Sequence, residues 1–462
     1  MRRASGLCYF LRTPSVSRSF ERVVNRNVCL ALTTSTRRYT EDTTEKLAEQ
    51  AERGDADAAF ALGEIYYTGK GTKIDVEKAI QLFHSSAEKG NANAQTFLAH
   101  CYEKGTGVSQ DFTKAAELYK FASDQGNVKA QSNLGIFYAK GLGVTRDFSR
   151  AAELLQKSAD QGHAFAQSNL ATFYQHGIGV ERDTKQAAKY FQLAAASGEP
   201  AYLYNLALCY ENGDVLSQDM KKAVQLYHQC AEKGHAAAQS ALGLCYREGR
   251  GVERNLEKSV EYLRLAADQG DAIGLSTLGT FYYMGSGVPQ DFVSAVEYFK
   301  LAGDKGEPNA LLNLGLCYYK GQGVTTDERK GFEFMKQAAD TGYPRAMSHL
   351  GMCYEKAEGT KKDMEAAIKW YEKATEFGDA TGMCRLAICY ATGTGLSKNY
   401  YKAVELFRAA AEQGSADALF HLGVCYRNGL GVEKNPGEAI RYYQMAAERG
   451  HPEAMAMGGK LG

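Results

Sequence analysis

The side chains most capable of chemistry in this chain recur at a fixed interval instead of converging on one place. Glycine-rich loops such as Gly105-Thr106-Gly107-Val108 have the composition of a phosphate cradle. A phosphate loop, however, needs a Lys-Ser/Thr pair entering a helix, and a dinucleotide fingerprint needs a strand before it. Neither context is present, and the same glycines return every 36 residues, as helix terminators would. A row holding only Asp or Asn (Asp75, Asp111, Asp147, Asp183, Asp219, Asn255, Asp291, Asp327, Asp363, Asn399 and Asn435) invites reading as carboxylate catalysts. Each stands just before an apolar-periodic segment, where an N-cap worth about 1 kcal/mol is expected. The nine histidines show no metal-ligand spacing. His349 and His421 share a register two repeats apart, too distant to chelate together, and read as solvated or groove-lining. Seven cysteines occupy one register where other repeats place Phe or Ile, so the slot is buried and apolar. No Ser-His-Asp or Cys-His arrangement emerges. The expectation is therefore no catalytic, cofactor-binding or metal-ligating residue, and a protein that is not an enzyme.

The elements that position these residues follow from the period itself. Glycine recurs at 54, 90, 126 and onward to 450, and tyrosine keeps the same beat from Tyr66 to Tyr426. In the segment from Gly90 to Gly126, Ala94, Leu98, Ala99 and Tyr102 form one helical stripe and Ala115, Leu118, Tyr119 and Ala122 a second. Gly105 and Gly107 end the first helix and Asp111 opens the next. One such hairpin cannot bury its apolar face alone, but stacked neighbours can. The expected fold is all-α, a right-handed α-solenoid of about eleven 36-residue helical hairpins, with residues 41–462 as one continuous array.

The unit A-x-x-x-L-G-x-C-Y-x-x-G-x-G-V, followed by D-x-x-K-A and a late A-A pair, resembles the Sel1-like repeat, a relative of the tetratricopeptide repeat. It stands almost complete from Ala238 through Tyr246, Gly249, Gly251 and Val252. The resemblance covers residues 45–462 and implies an adaptor in assembly, quality control or signalling complexes. Some bacterial relatives are claimed as hydrolases, but no cluster of residues outside the period is available to build such a pocket. Val215 replaces the usual second loop glycine and Ala357 a first one, so both loops are expected to be differently shaped. Some bacterial relatives bridge their helices through two cysteines per repeat. The second is missing here, implying free thiols and a reducing environment.

Charge divides the chain unevenly. Residues 1–40 hold eight arginines, no lysine, one acid (Glu21) and ten Ser or Thr. Such a leader reads as a mitochondrial transit peptide, with Arg37-Arg38-Tyr39 before Thr40 resembling a processing site; the alternative is a disordered basic leader. A mitochondrial location is expected on the first reading, a cytoplasmic one on the second, where the protein would be a signalling adaptor. The remaining 46 basic and 53 acidic residues leave a net charge near −7, which argues against nucleic acid. No apolar run reaches the roughly 18 to 20 residues of a membrane span.

The partners implied are other proteins, held in a concave groove lined by the first helix of each hairpin. Aligned on the Leu-Gly-x-x-Tyr core, the groove candidates are Leu208, Leu244, Tyr283, Leu316, Tyr319, Met352, Ile388 and Val424. An adjacent register changes from Gln95, Gln131 and Gln167 to Leu275, Leu311, Met347, Met383 and Leu419, which would extend an apolar groove in the C-terminal half. Packing against the neighbouring hairpin explains the same pattern equally well. The last repeat shows no polar capping helix, so self-association through it is a further expectation.

Overall fold

The computed structural model describes residues 41–458, and the proposed leader lies outside them. Among the described residues there are 24 α-helices and no strand. After an initial helix, Glu41–Glu52, the chain alternates first and second helices of 12 or 13 residues, such as Ala92–Lys104 and Phe112–Asp124. A short helix, Pro452–Gly458, closes the series. The described residues form two compact units. Unit one runs to His235 and includes Arg250–Val252; unit two comprises Ala236–Gly249 and Glu253 onward.

Local chemistry explains each hairpin. Gly105 ends its helix in the left-handed conformation, φ 72°, and its N–H bonds the Cys101 carbonyl. Asp111 then caps the second helix by accepting from the N–H groups of Thr113 and Lys114, both at 3.0 Å. The Asp111 N–H donates to the Tyr102 carbonyl at 3.0 Å, so the tyrosine and aspartate registers are two ends of one loop clamp. Position four of the D-x-x-K motif has a second role. Lys114 Nζ lies 5.5 Å from the centre of the Tyr102 ring, and Arg150, Lys222, Lys258, Lys330 and Lys402 repeat that cation–π contact.

The two unusual loops behave differently. Ala357 does not change its loop: it adopts the same left-handed cap, φ 63°, with its N–H on the Cys353 carbonyl. The expectation of a different shape is wrong there, because the surrounding helices hold even an alanine in that conformation. Val215 does depart, since it lacks the positive φ of every second loop glycine. Those glycines permit close approach between repeats. A Cβ at Gly143 would come 2.1 Å from the Phe112 carbonyl oxygen of the preceding hairpin.

The core is segmented at repeat interfaces. Ala79, Ile80, Phe83 and Ala87 of one second helix pack against Ala94, Phe97, Leu98 and Cys101 of the next first helix. The next cluster repeats the plan with Ala115, Ala116, Tyr119, Leu134 and Phe137. Such stacking makes stability approximately a sum of nearest-neighbour terms. The cysteine register is buried as expected, and burial pushes the Cys101 thiol up to about 12. At the C-terminal end, Ala454 of the last short helix is buried beside Leu419, Phe420 and Tyr443.

Candidate partner-binding face

In both units some first helices of successive repeats touch directly. Helix 164–176 meets 200–212 in unit one, and in unit two the series 236–248, 272–284, 308–320, 344–356 and 380–392 does so throughout. Among the described residues, no successive second helices approach as closely. Along the series from 236 to 392 the first-helix side is therefore the more closely packed one.

All eight groove candidates are half-buried. Leu208 lies in unit one and the other seven in unit two. Leu316 and Tyr319 flank one core cluster, Met352 a second, Ile388 a third and Val424 a fourth. Each therefore rests one side on its own repeat interface and leaves another accessible.

The adjacent register does not extend the groove. Leu275, Leu311, Met347, Met383 and Leu419 are only 1–9% exposed, packed between hairpins. Their polar counterparts are buried too. Gln95 donates to the Ala87 carbonyl at 3.1 Å and accepts from Gln125 at 2.8 Å, and Gln161 and Gln269 donate in the same way to Gln131 and Gln239. The change from Gln to Leu or Met thus exchanges a hydrogen-bonded repeat interface for an apolar one.

Tyr283 and Tyr319 also link successive repeats. The Tyr283 hydroxyl donates to Gln322 Oε1 at 2.6 Å, and that of Tyr319 to the Glu358 carbonyl at 2.9 Å, each in the next repeat's loop. Gln175–Asp214 and Glu211–Arg250, both at 2.7 Å, make the same 39-residue link. These loop residues were not among the candidates. Pairing the groove register with the residue between the next two loop glycines would have revealed them.

Much of the face's own charge is consumed internally. The buried Tyr119, Tyr227 and Tyr371 hydroxyls donate to Glu103, Glu211 and Glu355, sixteen residues earlier. Burial alone would raise the Glu103 carboxyl, but hydrogen bonds with His100 and Lys104 outweigh it and hold it at about 2. His349 is driven down to about 4, first by burial and then by the Arg345 guanidinium. Burial also lowers His421, with Asp417 opposing. Both imidazoles are half-buried and neutral at pH 7.

Between helices Ala380–Thr392 and Ala416–Asn428 this face dips into a cleft of about 270 Å³. Arg385, Ile388, Ser415, Asp417, His421 and His451 line it. The His451 ring stacks on Phe420 at 4.3 Å and places Nε2 3.6 Å from Asp417 Oδ1. Among the described residues, no group of three or more His, Cys, Asp or Glu side chains is placed to hold a metal. No described helix is long and apolar enough to cross a membrane.

A run of capped helical hairpins with its polar side chains engaged in caps and latches defines an all-α repeat scaffold. The family model of the Sel1 repeat matches eleven successive segments, from 56–91 to 416–451, and the chain belongs to that family. Sel1 repeat proteins are protein-interaction scaffolds, and the family is generally non-catalytic. A protective antigen of uropathogenic Escherichia coli with an SLR fold is 28% identical, over 89% of this chain and 88% of its own, with a TM-score of 0.62. A Sel1 repeat protein from Oxalobacter formigenes is 31% identical over 70% of this chain and 92% of its own, with a TM-score of 0.49. No curated protein matches the chain.

Proposed function

We propose that this chain is a non-enzymatic scaffold that captures client polypeptides along the first-helix face of unit two, and that it works in mitochondrial protein assembly, quality control or stress signalling. The observation that carries the binding reading is the row of half-buried apolar side chains there, Leu244, Leu316, Met352, Ile388 and Val424, at one position of consecutive or near-consecutive repeats. They are anchored on the core at one side and open at the other, the arrangement of a surface that receives an amphipathic helix or extended peptide. The mitochondrial part rests on the leader, arginine-rich and almost free of acids.

Two measurements test these parts separately. Replacing Leu316 and Met352 together by Glu abolishes capture of crosslinked clients while far-ultraviolet circular dichroism stays unchanged. Capture that survives both changes removes the face from consideration. Sequencing the mature N-terminus from the source cells gives a start near Thr40 with mitochondrial clients. An intact Met1 with cytosolic clients moves the protein to cytosolic signalling instead.

A further inference from the structure

The first-helix face of unit two changes character along its length. Helix Ala272–Met284 contains no charged residue, and helix Pro308–Lys320 has only its terminal lysine. The next three first helices carry Arg345, Arg385 and Arg427. Two of the carboxylates near these cations are already engaged. Glu355 accepts from Tyr371, and Asp379 accepts from Ser348 Oγ at 2.5 Å and the Gly382 N–H at 2.8 Å. Asp417 approaches His451 and is otherwise 72% exposed to water.

Arg385 stands apart from this pattern. It is half-buried and lines the cleft, and among the described residues it has no carboxylate within ion-pair distance. The register it occupies holds Asn133, Asn169, Asn205 and Asn313 in other repeats, so the cation is particular to this place. Burial keeps the His421 imidazole in the cleft neutral, and the guanidinium is a fixed positive charge there, with Asp417 on the same lining turned largely to water. A partly desolvated guanidinium is costly without an anion, and its planar fork matches a carboxylate through two parallel hydrogen bonds. Ile388 beside it offers apolar surface continuous in register with Met352 and Leu316.

We propose that the cleft seats an acidic side chain of a client peptide against Arg385, while apolar residues of the same peptide lie along Ile388, Met352 and Leu316. This rests on the reading of the unit-two face as the client-binding surface. The face continues beyond the cleft to Val424 and Arg427, so the peptide runs through the site and the carboxylate comes from a side chain, not a chain terminus.

The test is selection of a displayed library of random 12-residue peptides, amidated at the C-terminus, on the full-length protein. Clones combining Leu, Ile or Phe with Asp or Glu are expected. Arg385→Glu turns the enriched charge to Lys or Arg, and Arg385→Gln weakens a selected acidic peptide at least about tenfold. Both variants must match the parent in circular dichroism and melting; if Arg385→Glu does not, the Gln variant decides alone. Apolar clones indifferent to residue 385 overturn this inference and leave the face intact, provided Leu316→Glu/Met352→Glu still abolishes them. Enrichment that appears only when the selection is repeated with free C-termini overturns the side-chain assignment. Enrichment that ignores the Leu316 and Met352 changes, or none in either format, overturns both readings.

Discussion

The two units use one hairpin and two kinds of glue. Early repeats in unit one join through glutamine pairs with one buried and one exposed member, Gln95–Gln125 and Gln131–Gln161. Most repeats of unit two put Leu or Met at the same buried place, although Gln239–Gln269 shows the older pattern at its start. The first-helix register shifts in the same direction: Glu64, His100 and Thr172 alternate with Ile136 and Leu208 in unit one, whereas unit two has Leu244, Leu316, Met352, Ile388 and Val424 with Thr280 as its one polar member. A hydrogen-bonded pair is satisfied only in one geometry, whereas an apolar contact depends mainly on volume and shape. The units thus share architecture while differing in what they bury between repeats and what they present.

The largest effect should arise where the frame itself is tested. Gly323 has φ +72°, and a Cβ there would meet the Phe292 carbonyl oxygen at 2.1 Å. Gly323→Val should cost about 3–5 kcal/mol in urea unfolding, whereas Val215→Gly in unit one should cost less than about 1 kcal/mol. Equal costs would show that the Val215 loop is no exception.

Next in size is exchange of the glue. Leu311→Gln buries an amide whose oxygen has no donor opposite it and should lose about 2–4 kcal/mol. Adding Thr341→Gln, in the register of Gln125 and Gln161, should return about 1 kcal/mol of it. Failure to recover would mean that the glutamine bridge depends on unit-one backbone spacing. Hydrogen exchange in the helices on either side reads the change locally.

The third prediction concerns acid. His349 titrates near 6.5 when unfolded but at about 4 in place. The unfolded chain therefore binds the extra proton between these values, and stability present above pH 6.5 is lost as pH falls toward 4. His349→Asn, the residue of four other repeats in that register, should flatten this acid limb for unit two. An unchanged pH profile would assign the loss elsewhere.

Smaller gains come from two irregular positions. Ala357→Gly should stabilise its loop by about 1 kcal/mol, since alanine is strained at positive φ; a lower melting temperature contradicts that. Gln186 stands where other repeats place the cation over tyrosine, and its Oε1 is buried without a hydrogen bond. Gln186→Lys should add about 0.5 kcal/mol in unit one, and no gain would show that the ring contact is incidental.

The sequence by itself determined the period, the helical class, the caps and the buried cysteine slot. Each depends on residues within one hairpin or on repetition of the same residue type, so spacing alone exposes it. Tertiary structure decided which of two apolar registers faces outward. Leu311 and Leu316 both belong to a stripe wider than a quarter of the helix, and only the neighbouring hairpin determines which it covers. It also revealed the tyrosine latches, whose partners are in the next repeat's loop, and held Ala357 in a conformation that its residue type disfavours. The Arg385 cleft likewise needs two helices from different repeats to enclose it, so no single register could announce it.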